Sequence, residues 1–191
     1  MLKILVASNK ILTAPNQPVV NFDKKLEKLC KEMDKTLIAQ KDPQGVGLAA
    51  PQIGENLRLF IIKPAPEVKT EVFINPRIIR SLLSLHSSIQ SAQTIYSTPD
   101  VLRSAAKTPL EGCLSIPRIW GAIKRAKKIL IEYQTVSGEK VSKWYSGFKA
   151  IIIQHEIDHL NGVLFTQRAL EQQSQLFEEK NGKLEKIIES G

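Results

Sequence analysis

The run from Ala150 to Leu160, AIIIQHEIDHL, constrains this chain more than any other segment. It is apolar, free of Gly and Pro, and stops at Asn161-Gly162, which predicts a buried helix ended by a glycine. Into that helix the sequence puts His155 and His159, two of only three histidines, with Glu156 beside the first. Unpaired imidazoles and a carboxylate are costly in apolar surroundings, so they call for a purpose. Histidines four residues apart stand one helical turn apart and reach a single ion from one face, with the adjacent glutamate poised as acid/base. This spacing points to a metal-dependent hydrolase.

A catalytic tetrahedral ion takes three protein ligands and keeps one position for water, so the two histidines need a third partner. The candidates are Cys113, in Glu111-Gly-Cys-Leu-Ser-Ile-Pro117, and the carboxylates of Asp158 and Glu171. Cys113 is favoured, because a thiolate binds divalent transition metals well and Gly112 and Pro117 bracket it in a constrained extended segment. Glu111 is expected to hold nearby backbone or an arginine behind the ligands. Cys30 falls on an apolar helical stripe and reads as a small core residue, and His86 lacks a partner motif and reads as a packing or surface histidine.

The rest of the chain predicts an α+β fold, with short antiparallel strands and hairpins around the histidine helix and helices flanking at either end. At 191 residues one domain over 1–191 is expected. Asn21 to Gln40 has helical spacing, with Asn21 or Asp23 as cap. Leu57 to Ile62 and Val72 to Ile74 read as strands, the second closed by Asn75-Pro76. Lys128 to Tyr133 and Lys140 to Tyr145 read as a hairpin with Trp144 and Tyr145 packed on it. Gly45 to Gly54 suits a binding loop. Residues 81–107 read as an irregular excursion that could act as a flap, and 167–191 as a tail of one or two surface helices.

No spanning helix or signal peptide is evident, and two cysteines fit a reduced cytoplasm. The net charge of +8 would favour anionic partners such as a ribosome surface, but charge of this size spread over the whole chain better describes a solvated basic exterior. Nothing in the chain indicates specific recognition of DNA.

Three segments, Gly45-Val-Gly-Leu-Ala-Ala-Pro-Gln-Ile-Gly54, Glu111-Gly-Cys-Leu-Ser115 and Gln154-His-Glu-Ile-Asp-His159, resemble the three signature motifs of the peptide deformylase family, in the family's order. The resemblance runs from the helix at Asn21 to about Phe165. It implies removal of the N-formyl group from the formyl-methionine of nascent polypeptides, with release of formate. It further implies one divalent ion, natively Fe(II) with Zn(II), Ni(II) or Co(II) as substitutes, held by Cys113, His155 and His159. Hydroxide on that ion would attack, Glu156 would shuttle the proton, and Gln52 with the Leu114 backbone N–H would stabilise the oxyanion. Matching substrate positions are Val46, Gly47 and Leu48, with Ile151 and Ile152 before the first histidine. The resemblance also raises a ribosome contact through the C-terminal segment, where Lys180, Lys183 and Lys186 are diluted by glutamates.

Two other readings compete. A metallopeptidase is disfavoured by the thiolate ligand, and a silent binding homologue is disfavoured because no catalytic position is missing.

Overall fold

The computed structural model describes residues 1–82 and 109–187. Two antiparallel sheets and three helices make up the architecture, an α+β fold. The elements in chain order are α1 (Lys24–Ala39), β1 (Gly47–Ala49), β2 (Leu59–Ile62), β3 (Glu71–Leu82), β4 (Leu110–Cys113), β5 (Ile116–Ala122), β6 (Lys128–Gln134), β7 (Lys140–Ser146), α2 (Gly147–Leu160), α3 (Phe165–Glu171), β8 (Leu176–Lys180) and β9 (Lys183–Lys186). One sheet has the order β1-β2-β3-β6-β7, the other β4-β5-β8-β9.

The five-stranded sheet separates two cores, because successive side chains on a strand point to opposite faces. Phe60, Ile62, Phe73, Ile129, Ile131 and Tyr145 face α2 and pack on Ile152, Ile153 and Ile157. Phe60 and Phe73 stack with centroids 4.7 Å apart. On the other face Leu59, Ile61 and Ile74 meet Leu26, Cys30, Met33 and Leu37 of α1. Helix α1 begins where Asp23 accepts hydrogen bonds from the backbone N–H groups of Lys25 and Leu26, satisfying two donors that a helix start leaves open. A smaller third core gathers Cys113, Ile123, Phe165 and Ala169 between the four-stranded sheet and α3.

Several expectations need correction. Asn75-Pro76 does not close a strand: β3 runs through it with a register shift between Ile74 and Arg77. The Asn75 side chain exchanges two 2.8 Å hydrogen bonds with the Val19 backbone, so the strand bulges instead of ending. Gly45 to Gly54, expected as a binding loop, contains β1 followed by a 3₁₀ turn over Ala50–Ile53. Trp144 is 39% exposed beneath the Lys128 ammonium, and only Tyr145 joins the core.

The C-terminal segment departs most from a helical tail. After short α3 it forms the β8–β9 hairpin, whose Asn181 and Gly182 both have positive φ (51° and 72°), as a two-residue primed turn requires. The hairpin extends the second sheet by pairing β8 with β5. Of the expected excursion over 81–107, Ser81 and Leu82 complete β3, and the remainder, the flap reading and His86 included, lies outside the described residues.

Candidate active site

Helix α2 presents His155, Glu156 and His159, while β4 brings Cys113 from the other sheet. The ligand atoms of Cys113, His155 and His159 lie within 4.8 Å of one another, and Cys113 Sγ is 3.2 Å from His159 Nε2. Burial alone would raise the Cys113 thiol, but His159 and His155 overcome it and hold the group well below the ordinary thiol range. Burial would likewise lower His155, and its contacts with Cys113 and Glu111 instead raise it well above the usual imidazole range. A buried thiolate facing two imidazoles is a donor set for a divalent transition metal, and the residues fit one ion.

His155 Nδ1 faces Glu111 Oε2 at 3.1 Å, which turns Nε2 toward the other ligands. Glu111 is buried and held by Arg125, with Nε to Oε1 at 2.8 Å and Nη2 to Oε2 at 2.9 Å. Burial opposes its charge, yet the hydrogen bonds from Arg125 and His155 keep its carboxyl below the ordinary value. Asp158 and Glu171, the other candidate ligands, are committed to arginines: Asp158 to Arg125 and Arg168, Glu171 to Arg168.

Glu156 is 3% exposed, and its Oε2 has no hydrogen-bond partner among the described residues. Burial pushes its carboxyl up to about 7, against the pull of His155 and His159. The other carboxylate oxygen lies against Gly47: a Cβ built there would sit 2.9 Å from both Glu156 Cδ and Ile152 Cγ2. Among the described strands β1, where Gly47 lies, is at one edge of its sheet, and β4 is at one edge of the other.

Gln52 is 2% exposed, and its own turn fixes it. Its Oε1 accepts from the Ala49 N–H at 2.8 Å, while Nε2 donates to Ser115 Oγ at 3.2 Å and to Cys113 Sγ at 3.5 Å. Leu5 N–H donates to the Gln52 carbonyl and Ala7 N–H to that of Ser115, so the N-terminal segment ties this turn to the β4–β5 turn that contains Leu114.

Of the expected substrate positions, Gly47 and Ile152 meet at Glu156, Val46 packs beside Ile152's cluster, and Ile151 is half-buried. The Leu48 side chain is fully buried in the α1-side core. Sequence reasoning missed Arg125 and Ser115. Arg125 sits in Lys-Arg-Ala-Lys-Lys, where no pattern separates a buried guanidinium from its solvated neighbours; only the expectation that Glu111 holds an arginine anticipated it.

An α+β fold with a buried thiolate and two helical imidazoles around room for one ion, and a partnerless carboxylate beside them, defines a metallohydrolase-type centre. The profile of the polypeptide deformylase family matches residues 1–175. The chain belongs to that family. It is 33% identical over 184 residues to the peptide deformylase of Desulfotalea psychrophila, covering 94% of each chain. It is 35% identical to peptide deformylase 1 of Bacillus cereus, covering 88% of this chain and 92% of that one. The crystal structure of the Thermotoga maritima peptide deformylase superposes with a TM-score of 0.70 at 34% identity, covering 88% of this chain and 97% of that one. That of the Synechococcus elongatus enzyme in complex with actinonin gives 0.71 at 31%, covering 87% and 78%.

Proposed function

We propose that this deformylase performs its reaction, metal-dependent removal of the N-formyl group from nascent polypeptides, with Cys113, His155 and His159 holding one divalent ion and Glu156 carrying the proton. When bound, such an ion lowers the pKa of water and polarises the formyl carbonyl as a Lewis acid. Glu156 takes one proton from the attacking water and passes it to the amine nitrogen as the C–N bond breaks, and the formyl carbon leaves as formate. The Gln52 Nε2 amide and the Leu114 backbone N–H stabilise the oxyanion that forms on the way. The formylated chain lies alongside Val46, Gly47 and Leu48 at the start of β1, its methionine side chain against Ile151 and Ile152.

The observation that carries the proton assignment is the buried, partnerless Oε2 of Glu156 beside the three-ligand cluster. Burial at 3% exposure disfavours the ionised form and so readies this carboxylate to take up a proton. A thiolate with two imidazoles suits Fe(II), Zn(II), Ni(II) or Co(II), and the family resemblance favours Fe(II).

We further infer a single catalytic domain over residues 1–191 acting in the cytoplasm, with nascent chains met at the ribosome surface through the basic exterior. Among the described residues no helix is long and apolar enough to cross a membrane.

The test is formate release from formyl-Met-Ala-Ser by anaerobically purified protein reconstituted with Fe(II), Ni(II) or Zn(II), alongside Cys113→Ala and Glu156→Ala. Turnover lost in both variants, with stoichiometric metal retained in Glu156→Ala alone, is the expected outcome. Turnover surviving in Glu156→Ala would remove it as proton carrier.

A further inference from the structure

Asp158, inside the histidine segment, takes no part in the chemistry above, yet it is 6% exposed and lies between two arginines. Its Oδ1 accepts from Arg168 Nη2 at 2.7 Å, and its Oδ2 accepts from Arg168 Nε at 3.1 Å and from Arg125 Nη1 at 2.5 Å. Arg125 Nε and Nη2 donate to Glu111, which faces His155. The result is an unbroken row: Arg168 on α3, Asp158 on α2, Arg125 between β5 and β6, Glu111 on β4 and the His155 ring. Gln154 fixes the connection bearing Arg125 by exchanging hydrogen bonds of 3.0 and 2.9 Å with the Ala126 backbone.

We propose that Asp158 and Arg168 are positioning residues for the metal ligands, holding Arg125, and through it Glu111 and the His155 ring, in the orientation that keeps Nε2 on the ion. This rests on the reading of Cys113, His155 and His159 as ligands. The row contains two cations and two carboxylates, and its three inner ionic side chains are at most 9% exposed, so each charge depends on its neighbours. Replacing Asp158 by the isosteric asparagine removes the anion between two guanidinium groups and turns an amide donor toward one of them. A buried charge stripped of its partner is strongly unfavourable, and Arg125 relieves it by shifting. That shift drags Glu111, and the imidazole loses the acceptor that sets its tautomer and tilt. Arg168 is one-third exposed, so its replacement loosens the row from the outside with little burden on folding.

Holoenzyme loaded with Co(II) reports directly on the ligands, because a Cys113 thiolate bound to cobalt gives a charge-transfer band. The band is followed after addition of EDTA in wild type, Asp158→Asn, Arg168→Gln and Arg168→Lys. We expect loss of the band about tenfold or more faster in Asp158→Asn and Arg168→Gln, the scale on which outer partners of ligating histidines act. Arg168→Lys should fall between, since lysine keeps the charge but not the fork. KM for formyl-Met-Ala-Ser with excess Co(II) should stay at the wild-type value. Wild-type retention in both variants, with only a lowered Tm, would overturn the proposal by making the row purely structural. If Asp158→Asn does not fold, Arg168→Gln decides alone. A wild type that binds no stoichiometric Co(II) or shows no thiolate band would overturn the ligand assignment, and this proposal with it.

Discussion

Gly47 and Glu156 meet across a gap that admits no side chain. A methyl group on Gly47 would press on Ile152 and on the Glu156 carboxylate, which the proposed role as proton carrier requires to stay in place. Misplacing a reacting group by about 1 Å can cost roughly a hundredfold in rate. Gly47→Ala is therefore expected to lower kcat at least about tenfold while leaving bound metal stoichiometric, which steady-state kinetics with metal analysis would reveal; an unchanged kcat would show the carboxylate has room to spare. Cys30 illustrates the opposite kind of residue. Burial in the α1 core, with Glu27 adding to it, pushes its thiol up to about 11 from an ordinary 9.0. Raised folded-state affinity for the proton stabilises the protein below about pH 9, and that share is lost as pH rises through 11. The stability gap between wild type and Cys30→Ala, measured by denaturant titration, should narrow across that window; a constant gap would mean the thiol titrates normally.

The β8–β9 hairpin is the element least legible in the sequence. Its Leu, Phe and Ile spacing mimics a broken helix, and what decides the matter is non-local: the free edge of β5, which pairs with Leu176 to Glu178. Asn181-Gly182 was the available signal, a two-residue turn demanding positive φ at both positions. Gly182 has open space around it, so Gly182→Ala tests backbone strain alone, at about 1–2 kcal/mol. For a chain of this size that lowers Tm by roughly 2–8 °C in a thermal melt, without touching kcat; no shift would mean the hairpin contributes nothing to the cooperative unit. The same division between local and non-local explains the other outcomes. Helix α1 is readable because cap and periodicity lie within one stretch of chain, and α2 because an unbroken apolar run ends at Asn161-Gly162. The bulge at Asn75-Pro76 was not, because it depends on Val19, far away in sequence, accepting and donating to the asparagine amide. Around the site, residues whose spacing is itself chemical, His155, Glu156 and His159, were evident, and Cys113 followed from the missing ligand. Arg125 was hidden because its role depends on being enclosed by Glu111 and Asp158, which come from different elements.

At the scale of the whole molecule, the ligands belong to different layers. Cys113 ends β4 in the four-stranded sheet, whereas His155 and His159 ride on α2, which packs against the five-stranded one. An ion shared by the three would tie the layers together at the point where the cores of α2 and α3 adjoin. Because unfolding separates Cys113 from the histidine pair, such an ion binds the folded state more tightly than the unfolded one and stabilises it by mass action, by up to about 2.7 kcal/mol at a hundred times Kd. For a protein of this length that is roughly 5–11 °C in Tm. Chelation should lower the wild-type Tm by that order and Zn(II) should restore it, while Cys113→Ala should begin near the chelated value and respond to neither. A chelator response of full size in Cys113→Ala would place the stabilising ion elsewhere, because without the thiol that β4 brings to the cluster the ion no longer joins the two layers.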